Sequence, residues 1–253
     1  MAQEDSARVV AAVCLPIMKG RRLPSGCPER EKNMRHIVWL RHELRLSDNP
    51  GLYHAARGNN EVLPVYIWPD SSGTAGAASK WWLHKSLSAL STSVKSRGGR
   101  LVIMKGAAEL LLPELVQQCK ADAVFWSRAY DPAGRVLDDA VEHALGKQGT
   151  NCRVFASTNH LLNPADVWNK SGMPYKVFTP FYRHVVTLSV DKPLPAPEKL
   201  NMIGTPVEGV SISDLHLEPE LDWAQGLRDT WEPGEAEAGA RLDAFIGDGR
   251  RII

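Results

Sequence analysis

The chain has few cysteines, and its cysteines and histidines lack the spacings that bind metals. Its four cysteines, Cys14, Cys27, Cys119 and Cys152, form no C-x-x-C pair, and its eight histidines form no H-x-x-x-H pattern. Zinc sites and redox motifs depend on such pairs. We therefore expect no metal site. Because no secretory signal is recognisable, we expect four reduced thiols in a cytoplasmic protein.

Long apolar runs and a strong charge of either sign are also missing. The apolar stretch at residues 9–18 is too short to span a bilayer, so we expect no membrane attachment. The net charge is +1 over 253 residues, and 43% of the residues are hydrophobic. This composition is typical of a globular protein. It gives no general basic field, so any contact with DNA would need a local basic patch.

The motifs of several common enzyme classes are absent as well. The sequence contains neither G-x-G-x-x-G after a predicted strand nor a G-K-S/T phosphate loop. Their absence excludes the usual dinucleotide and ATP sites. It also lacks a G-x-S-x-G elbow, which excludes a hydrolase of that type.

What the sequence does contain is a regular alternation of short apolar runs and amphipathic stretches. The runs indicate buried parallel strands, and the stretches between them predict helices. The alternation therefore indicates an α/β fold, a Rossmann-like five-stranded parallel sheet with helices on both faces. The predicted strands are residues 36–40, 62–67, 101–104, 123–126 and 152–155, and the predicted helices are 50–57, 79–97, 107–120 and 132–147.

Several side chains can be oriented from the same patterns. Asn49 is expected to cap the first helix, with Pro50 in its first turn. Pro64 is expected near an edge or at the start of its strand, because proline cannot donate to a ladder. We expect Trp81 to be partly exposed. The side chains expected to face the core are Trp82, Leu83, Ser86, Leu87, Leu90 and Val94 on one helix and Val136, Ala140, Val141 and Leu145 on another.

Composition divides the chain into three parts. Residues 1–33 mix proline, glycine and charge without periodicity, which predicts either a disordered extension or an over-called start with Met34 as the true initiator. Residues 34–160 carry the α/β pattern. Residues 161–253 are expected to form an irregular linker with an extended proline-rich connector and helices at 179–188 and 234–247.

Two segments carry a concentration of functional side chains. Residues 41–50, RHELRLSDNP, follow the first strand and hold four charged groups besides a histidine. These charges either pair with one another and cap a helix, or form a polar rim for an anionic or ring-shaped ligand. Residues 172–183, GMPYKVFTPFYR, interleave aromatic and basic side chains. We expect a packed corner that buries the aromatics, with a surface for single-stranded nucleic acid as the alternative.

Five motifs, the last of them in two segments, together resemble the photolyase and cryptochrome family. WLRHELRLSDNP at 39–50 is similar to the opening signature of that family, and SKWWLHKSLSAL at 79–90 is similar to its second helix. WSRAYDP at 126–132 resembles its aromatic–acidic turn, and PYKVFTPFY at 174–182 resembles another of its motifs. WEPGE at 231–235 and RLDAF at 241–245 resemble the entry to its helical domain.

The resemblance implies a light-driven function. In the family, a reduced flavin absorbs light and passes an electron to a pyrimidine dimer flipped out of UV-damaged DNA, and an antenna folate or deazaflavin feeds energy to that flavin. The FAD, the electron-transfer tryptophans and the DNA groove belong to a C-terminal helical domain that this sequence lacks. No catalytic residue is therefore carried over, and a separate chain carrying the FAD domain is an expected partner.

The resemblance also nominates residues for an antenna site at the carboxyl ends of the strands. Folate-binding members carry a carboxylate and an amide where this sequence has Ala133 and Gly134, and deazaflavin binders carry an acid where it has Ala129. The nominated antenna residues are His42, Glu43, Tyr66, Trp68, Asp70, Lys80, Arg128, Tyr130 and Asp131. The family-motif residues expected to be structural are Arg41, Arg45, Asp48, Asn49, Tyr175, Lys176, Phe178, Pro180 and Phe181.

Three hypotheses for function follow. The first is a truncated photolyase-related protein that is limited to an antenna or structural role. The second is a stand-alone chromophore- or nucleotide-binding sensor domain. The third is a DNA-binding accessory that uses residues 174–183, and the salt dependence of its DNA affinity would distinguish it.

Overall fold

The computed structural model describes residues 33–69 and 75–247. The predicted extension at 1–33 lies outside the described residues, apart from Asn33. The strands are β1 Arg35–Leu40, β2 Glu61–Trp68, β3 Val102–Lys105, β4 Ala123–Ser127, β5 Asn151–Phe155 and β6 Asn201–Met202. The helices are α1 Pro50–Ala55, α2 Ala77–Ser96, α3 Ala108–Cys119, α4 Pro132–Gly146, α5 Phe178–Val185, α6 Gln225–Thr230 and α7 Glu235–Gly247.

All strand pairs are parallel, and five strands follow the order β3-β2-β1-β4-β5. β1 pairs with β2 from Arg35 opposite Glu61 to Leu40 opposite Tyr66. Because the strands run the same way, their carboxyl ends meet at one edge of the sheet. The loops after β1, β4 and β5 therefore lie near one another.

Side chains alternate between the two faces of the sheet, and each face has its own core. Along β1, Ile37 and Trp39 belong to one cluster of buried residues, whereas Val38 and Leu40 belong to the other. Residues of α1 and α2 pack on the second face, and residues of α3 and α4 pack on the first. The predicted α/β class with helices on both faces is confirmed.

The chain after residue 199 contributes to both cores. Leu200, Leu215 and Leu217 join the cluster that holds Val38, and Ile203 and Val207 join the cluster that holds Ile37. This part of the predicted linker is therefore bound to the α/β unit by buried apolar side chains.

The sheet has six described strands, one more than predicted. β6 is a two-residue strand that pairs Asn201 with Glu61 and Met202 with Val62. It is too short to show a periodic pattern, which is why the sequence prediction missed it.

The expectation for Pro64 was wrong. It is the fourth residue of β2 and lies in the interior of the sheet, opposite Val38 of β1. On the other side of β2, pairing to β6 ends at Val62 and pairing to β3 begins at Val65. Pro64 therefore falls between two partner strands, where the missing N–H breaks no pairing on that side.

The orientation of the two tryptophans of α2 is the reverse of the prediction. Trp81 is only 1% exposed, and Trp82 is 41% exposed. Trp81 shares a helix face with His84 and Lys85, three and four residues later. Glu218 lies over that face and pairs with both of them. Glu218 belongs to the returning linker, so these contacts across more than 100 residues could not be read from helical periodicity.

The inward face of α4 also differs from the prediction. Val136 is 70% exposed, whereas Val141 and Leu145 are fully buried as expected. Asp138 is 1% exposed and is one of the inward-facing residues of α4. A buried carboxylate needs a partner, and it has one in the loop that follows β1.

Candidate functional site

The loop after β1 contains a buried ion pair at the carboxyl end of the sheet. Arg41 Nη2 lies 2.8 Å from Asp138 Oδ1 of α4. The guanidinium also donates to the carbonyl of Ser127 and lies 4.3 Å from the ring centre of Trp39. Burial lowers the pKa of Arg41, and the carboxylate of Asp138 opposes that shift. The pair joins β1, β4 and α4 at one point.

Glu43 is buried and fixes the loop that follows β5. Its Oε1 accepts a hydrogen bond of 2.5 Å from the hydroxyl of Ser157 and one of 3.1 Å from the backbone N–H of Thr158. Glu43 is 5% exposed, so these donors satisfy a carboxylate oxygen that would otherwise be costly to bury. The carboxylate therefore ties the start of the linker to β1.

Arg45 binds the loop after β5, and Asp48 binds the linker. Arg45 donates to the hydroxyl of Thr158 at 2.6 Å and to Asn159 Oδ1 at 3.0 Å. The backbone N–H of Asp48 donates to the carbonyl of Leu194 at 2.7 Å, and the N–H of Leu194 donates to Asp48 Oδ1 at 3.2 Å. Residues far apart in sequence are thus fastened to one loop.

Glu235, the first residue of α7, binds the same loop from another side. Its carboxylate accepts hydrogen bonds from the backbone N–H of Leu46 at 2.7 Å and from that of Ser47 at 2.9 Å. It also accepts from the hydroxyl of Ser47. The charged segment after β1 therefore makes hydrogen bonds to the loop after β5, to the linker and to α7, and it is called the hub below.

Asn49 performs the predicted capping role. Its Oδ1 accepts from the N–H of Leu52 at 2.9 Å, and its amide nitrogen donates to the carbonyls of Glu43 and Arg45. Asn49 is buried, so these bonds satisfy an amide that would otherwise be costly to bury. The cap links α1 to the loop that precedes it.

Of the eight nominated antenna residues that the structure describes, three line one small cavity together. A cavity of about 10 Å³ lies among side chains of the loops after β1, β4 and β5, including His42, Glu43 and Arg128. That space is about the size of one water molecule. The structure therefore brings these three residues together, but an aromatic pigment does not fit between them as they stand.

The other nominated residues have different surroundings. Tyr66 and Trp68 are buried in the core, and burial raises the pKa of Tyr66 to about 12. Lys80 is half-buried in the first turn of α2, and Asp70 lies outside the described residues. Tyr66 and Trp68 therefore offer little surface to a ligand.

The turn after β4 is built around Tyr130 and Asp131. The hydroxyl of Tyr130 donates to Asn163 Oδ1 at 2.7 Å, and Asp131 caps α4 by accepting from the N–H of Gly134 at 2.8 Å. A Cβ atom at residue 134 would come within 2.4 Å of the Cβ of Ala129. The turn has no room for the amide side chain that the folate pattern of the resemblance implies.

A much larger cavity lies beside this region, at the carboxyl end of β5. Its volume is about 690 Å³, and its walls are residues 155–167 and 188–194 together with Asp48 and Pro50. Of the nominated antenna residues, none lines it. Sequence reasoning missed it because its two walls belong to irregular segments that only the fold brings together.

The aromatic segment at 174–183 is exposed, so the expectation of a packed corner was wrong. Phe178 is 71% exposed and Tyr182 is 53% exposed, and their rings stack 5.6 Å apart. Phe181 is 38% exposed and packs against Tyr175, whose hydroxyl lies 3.1 Å from His184 Nδ1. Lys176 and Pro180 are also exposed. The rings contact one another and leave an apolar surface.

Several residues important to this site were not nominated from the sequence. Asp138, Ser157, Thr158 and Glu235 supply the partners of the hub. The position of Asp138 among apolar residues on one face of α4 was the one available signal. The partners of Thr158 and Glu235 depend on contacts across more than 100 residues.

In residues 33–69 and 75–247, no group of three or more histidine, cysteine, aspartate or glutamate side chains is placed to hold a metal ion. In the same ranges, no helix combines the length and the apolarity needed to cross a membrane.

The parallel sheet with helices packed on both faces and a polar hub at its strand ends defines a Rossmann-like α/β domain. The family model described as DNA photolyase matches residues 36–198. The chain therefore belongs to the DNA photolyase family, as the motifs indicated.

Individual relatives agree with this assignment. The chain is 42% identical over 212 residues to a deoxyribodipyrimidine photo-lyase of Agrobacterium fabrum, a match that covers 83% of this chain and 44% of that protein. It is 31% identical over 220 residues to cryptochrome-2 of Arabidopsis thaliana, a match that covers 83% of this chain and 36% of the relative. The chain thus spans less than half the length of these relatives.

A solved structure gives the same result. The crystal structure of a class III photolyase from Agrobacterium tumefaciens superposes with a TM-score of 0.81 at 40% identity. The superposition covers 88% of this chain and 46% of the other. The similarity therefore concerns the N-terminal α/β part of that photolyase.

Proposed function

We propose that this chain is the antenna and docking part of a cytoplasmic photolyase-related protein, and that a separate helical chain carrying FAD supplies the light-driven repair of pyrimidine dimers in DNA. In this proposal the α/β unit ends near residue 160, and the following segment is the docking region. The observation that carries the proposal is the apolar surface that this segment leaves exposed.

Side chains of α5 and α7 form most of that surface. Phe178 and Tyr182 of α5 are more than half exposed, as are Leu242 and Ile246 of α7, and Phe245 is 48% exposed. Monomeric proteins rarely expose so many large apolar side chains, and exposed apolar side chains on a helix are typical of protein contacts. A helical partner with a complementary apolar face would cover them.

The position of α7 supports the same interpretation. Its first residue, Glu235, is fixed to the loop after β1, and Trp231 packs edge-on against Trp82 of α2 at 6.1 Å. Arg241 lies 4.7 Å from the ring centre of Trp231 and donates to the carbonyl of Thr230. The start of α7 is therefore anchored, while its length presents apolar side chains for a partner.

The chemistry of the proposed complex is divided between the two chains. FAD would supply the light-driven electron transfer when it is bound to the partner. The residues described here would orient that partner through α5 and α7. The residues around Arg41 do not fit an antenna pigment as they stand, so no step is assigned to a pigment at that place.

Coexpression tests the proposal directly. The chain should form a stable complex with a helical, FAD-carrying half of a photolyase, and that complex should repair thymine dimers under blue light. By itself the chain should show no flavin absorption and should be inactive in repair. Repair by the purified chain without partner or added flavin would contradict the proposal.

A matched pair of substitutions locates the docking surface. Phe178→Ser should weaken the complex at least tenfold, because it removes an exposed ring from the proposed interface. Val136→Ser is the control, because Val136 is equally exposed, at 70% against 71%, but lies on α4. Equal loss of affinity in both variants would show that α5 is not the docking surface.

A second candidate function is a stand-alone sensor domain that binds a chromophore or a nucleotide. The cavity of about 690 Å³ at the end of β5 favours it, because that volume is in the range of small-molecule sites. Stoichiometric ligand binding with no partner chain and no affinity for DNA would support this function over the first.

A further inference from the structure

Two helices of the chain expose apolar side chains at helical spacing. On α5, Phe178 and Tyr182 are one turn apart, and their stacked rings have centroids 5.6 Å apart. On α7, Leu242 and Ile246 are also one turn apart, with Phe245 beside them. All five side chains are at least 48% exposed. Because residues at this spacing share one side of a helix, each helix presents an uncovered apolar face.

The segment that contains α5 is positively charged. Residues 168–187 contain no acidic side chain and three basic ones, Lys170, Lys176 and Arg183. All three are exposed, and none forms an ion pair with another described residue. The apolar face of α5 is therefore flanked by cations that lack a protein counter-charge in the described part of the chain.

The segment that contains α7 has the opposite charge. Residues 231–247 contain one basic side chain and four acidic ones. The single arginine, Arg241, pairs with Glu237 of the same helix, and Glu235 is bound to the hub. Glu232 and Asp243 are exposed, and neither forms an ion pair with a described residue. The apolar face of α7 is therefore flanked by uncompensated carboxylates.

The two faces are complementary in charge and alike in polarity. Because both faces are exposed, α5 and α7 of the same chain do not cover each other. In a symmetric pair of chains, α5 of each copy meets α7 of the other, so that the same contact forms twice and the assembly closes. Pairing of α5 with α5 would instead place like charges together, which is unfavourable.

The apolar area available is enough for a stable dimer. Eight large hydrophobic side chains are exposed in residues 168–190, and three are exposed on α7. At roughly 100 Å² for a large side chain that is about half exposed, two copies together offer on the order of 2,000 Å². Stable interfaces bury about 1,200–2,000 Å² in total. Most of these side chains, but not all, would have to enter the interface.

We infer that the free chain forms a symmetric dimer in which α5 of each copy packs on α7 of the other. The dimer goes beyond the proposed function, because it names a second copy of this chain as the occupant of both helices while no FAD-carrying chain is bound. Two occupants of one surface exclude each other. If the proposed function holds, the dimer is therefore a resting form from which the partner displaces one copy.

Charge reversal tests the pairing in sedimentation experiments on the purified full chain. One variant carries Lys176→Glu and Arg183→Glu on the α5 side, and the other carries Glu232→Lys and Asp243→Lys on the α7 side. Each variant alone should dimerise at least about tenfold more weakly, because like charges then face each other in both contacts. Mixed in equal amounts, the two variants should form a heterodimer of nearly the original affinity, because both contacts again pair opposite charges.

A matched control separates the contact from net charge. Arg135→Glu with Lys147→Glu changes the net charge as much as the α5 variant does, but these two exposed residues lie on α4 and just after it. The control should keep the affinity of the unaltered dimer and should not restore dimerisation when it is mixed with the α7 variant. Circular dichroism and thermal unfolding of every variant show whether the fold is retained.

Each result either supports or overturns the inference. A chain that stays monomeric at millimolar concentration would overturn it, as would mixed variants that fail to associate. Growth beyond two copies would show that the contact does not close symmetrically. Because these measurements contain no partner chain, the dimer can fail while the coexpressed complex forms, and the complex can fail while the dimer forms.

Discussion

The two parts of the chain on either side of residue 160 differ in how they bury apolar side chains. In the described part before residue 160, three large hydrophobic side chains are exposed, and in the described part after it there are sixteen. The first part closes two cores around a sheet. The second part contributes Leu200, Ile203 and Leu217 to those cores but leaves α5 and α7 uncovered. The buried cores therefore lie mainly in the first part, and the exposed apolar side chains lie mainly in the second.

The largest expected effect comes from the two tryptophans of α2, which differ in burial although they are adjacent. Trp81→Ala should lower the free energy of unfolding by about 3–5 kcal/mol, because it leaves a cavity. Trp82→Ala should cost about 1 kcal/mol, mostly the edge-on contact with Trp231. Urea unfolding of both variants measures the difference, and equal losses would contradict the assigned orientation of α2.

The ion pair of Arg41 and Asp138 gives the next largest effect. Asp138→Ala should lower the free energy of unfolding by about 3 kcal/mol, because it leaves a buried guanidinium without its partner. The control is Glu142→Ala, on the same helix as Asp138. This substitution removes an exposed ion pair with Arg128 and should lower the free energy of unfolding by under about 0.5 kcal/mol. If both variants unfold at the same urea concentration, the buried pair is not a main contact of the hub.

The link between the two parts can be tested at Glu235. Glu235→Gln should lower the free energy of unfolding by about 1 kcal/mol, because a neutral amide is a weaker acceptor for the two backbone N–H groups. It should also speed hydrogen exchange at the amides of Leu46 and Ser47. Glu232→Gln, an exposed neighbour with no described hydrogen bond, is the control, and faster exchange in both variants would argue against the link.

A smaller effect is expected at His54, whose ring stacks on Phe155 at 5.1 Å. Burial, and to a lesser extent the charge of Arg57, lower the pKa of His54 from its ordinary 6.5. As pH falls below about 6.5, the imidazole of His54 is protonated in the unfolded chain before it is protonated in the folded chain. The free energy of unfolding therefore decreases. His54→Phe keeps the stack and should reduce the loss of stability between pH 7.5 and pH 5.5. An unchanged loss would exclude His54 as a contributor.

The smallest effect on stability is expected in the docking region. Phe178→Ser should change the free energy of unfolding by under about 0.5 kcal/mol, because the side chain is 71% exposed. It should reduce concentration-dependent self-association, measured by sedimentation, because the stacked rings are an exposed apolar patch. A large loss of stability would show that α5 belongs to the folded core after all.

The sequence alone determined the α/β class, the five main strands and the cap of α1. These features depend on local patterns: apolar runs of four to eight residues, helical periodicity, and an asparagine followed by proline. The family could also be identified, because its motifs lie within such elements.

Only the tertiary structure decided which side chains form sites. Trp81 is buried although periodicity placed Trp82 on the inward face, and Asp138 is buried where Arg41 reaches it from the loop after β1. The large cavity is enclosed by two irregular segments whose sequences show no period. Contacts between residues far apart in the chain leave little trace in local composition, so burial, pairing and cavity shape became visible only once the chain was folded.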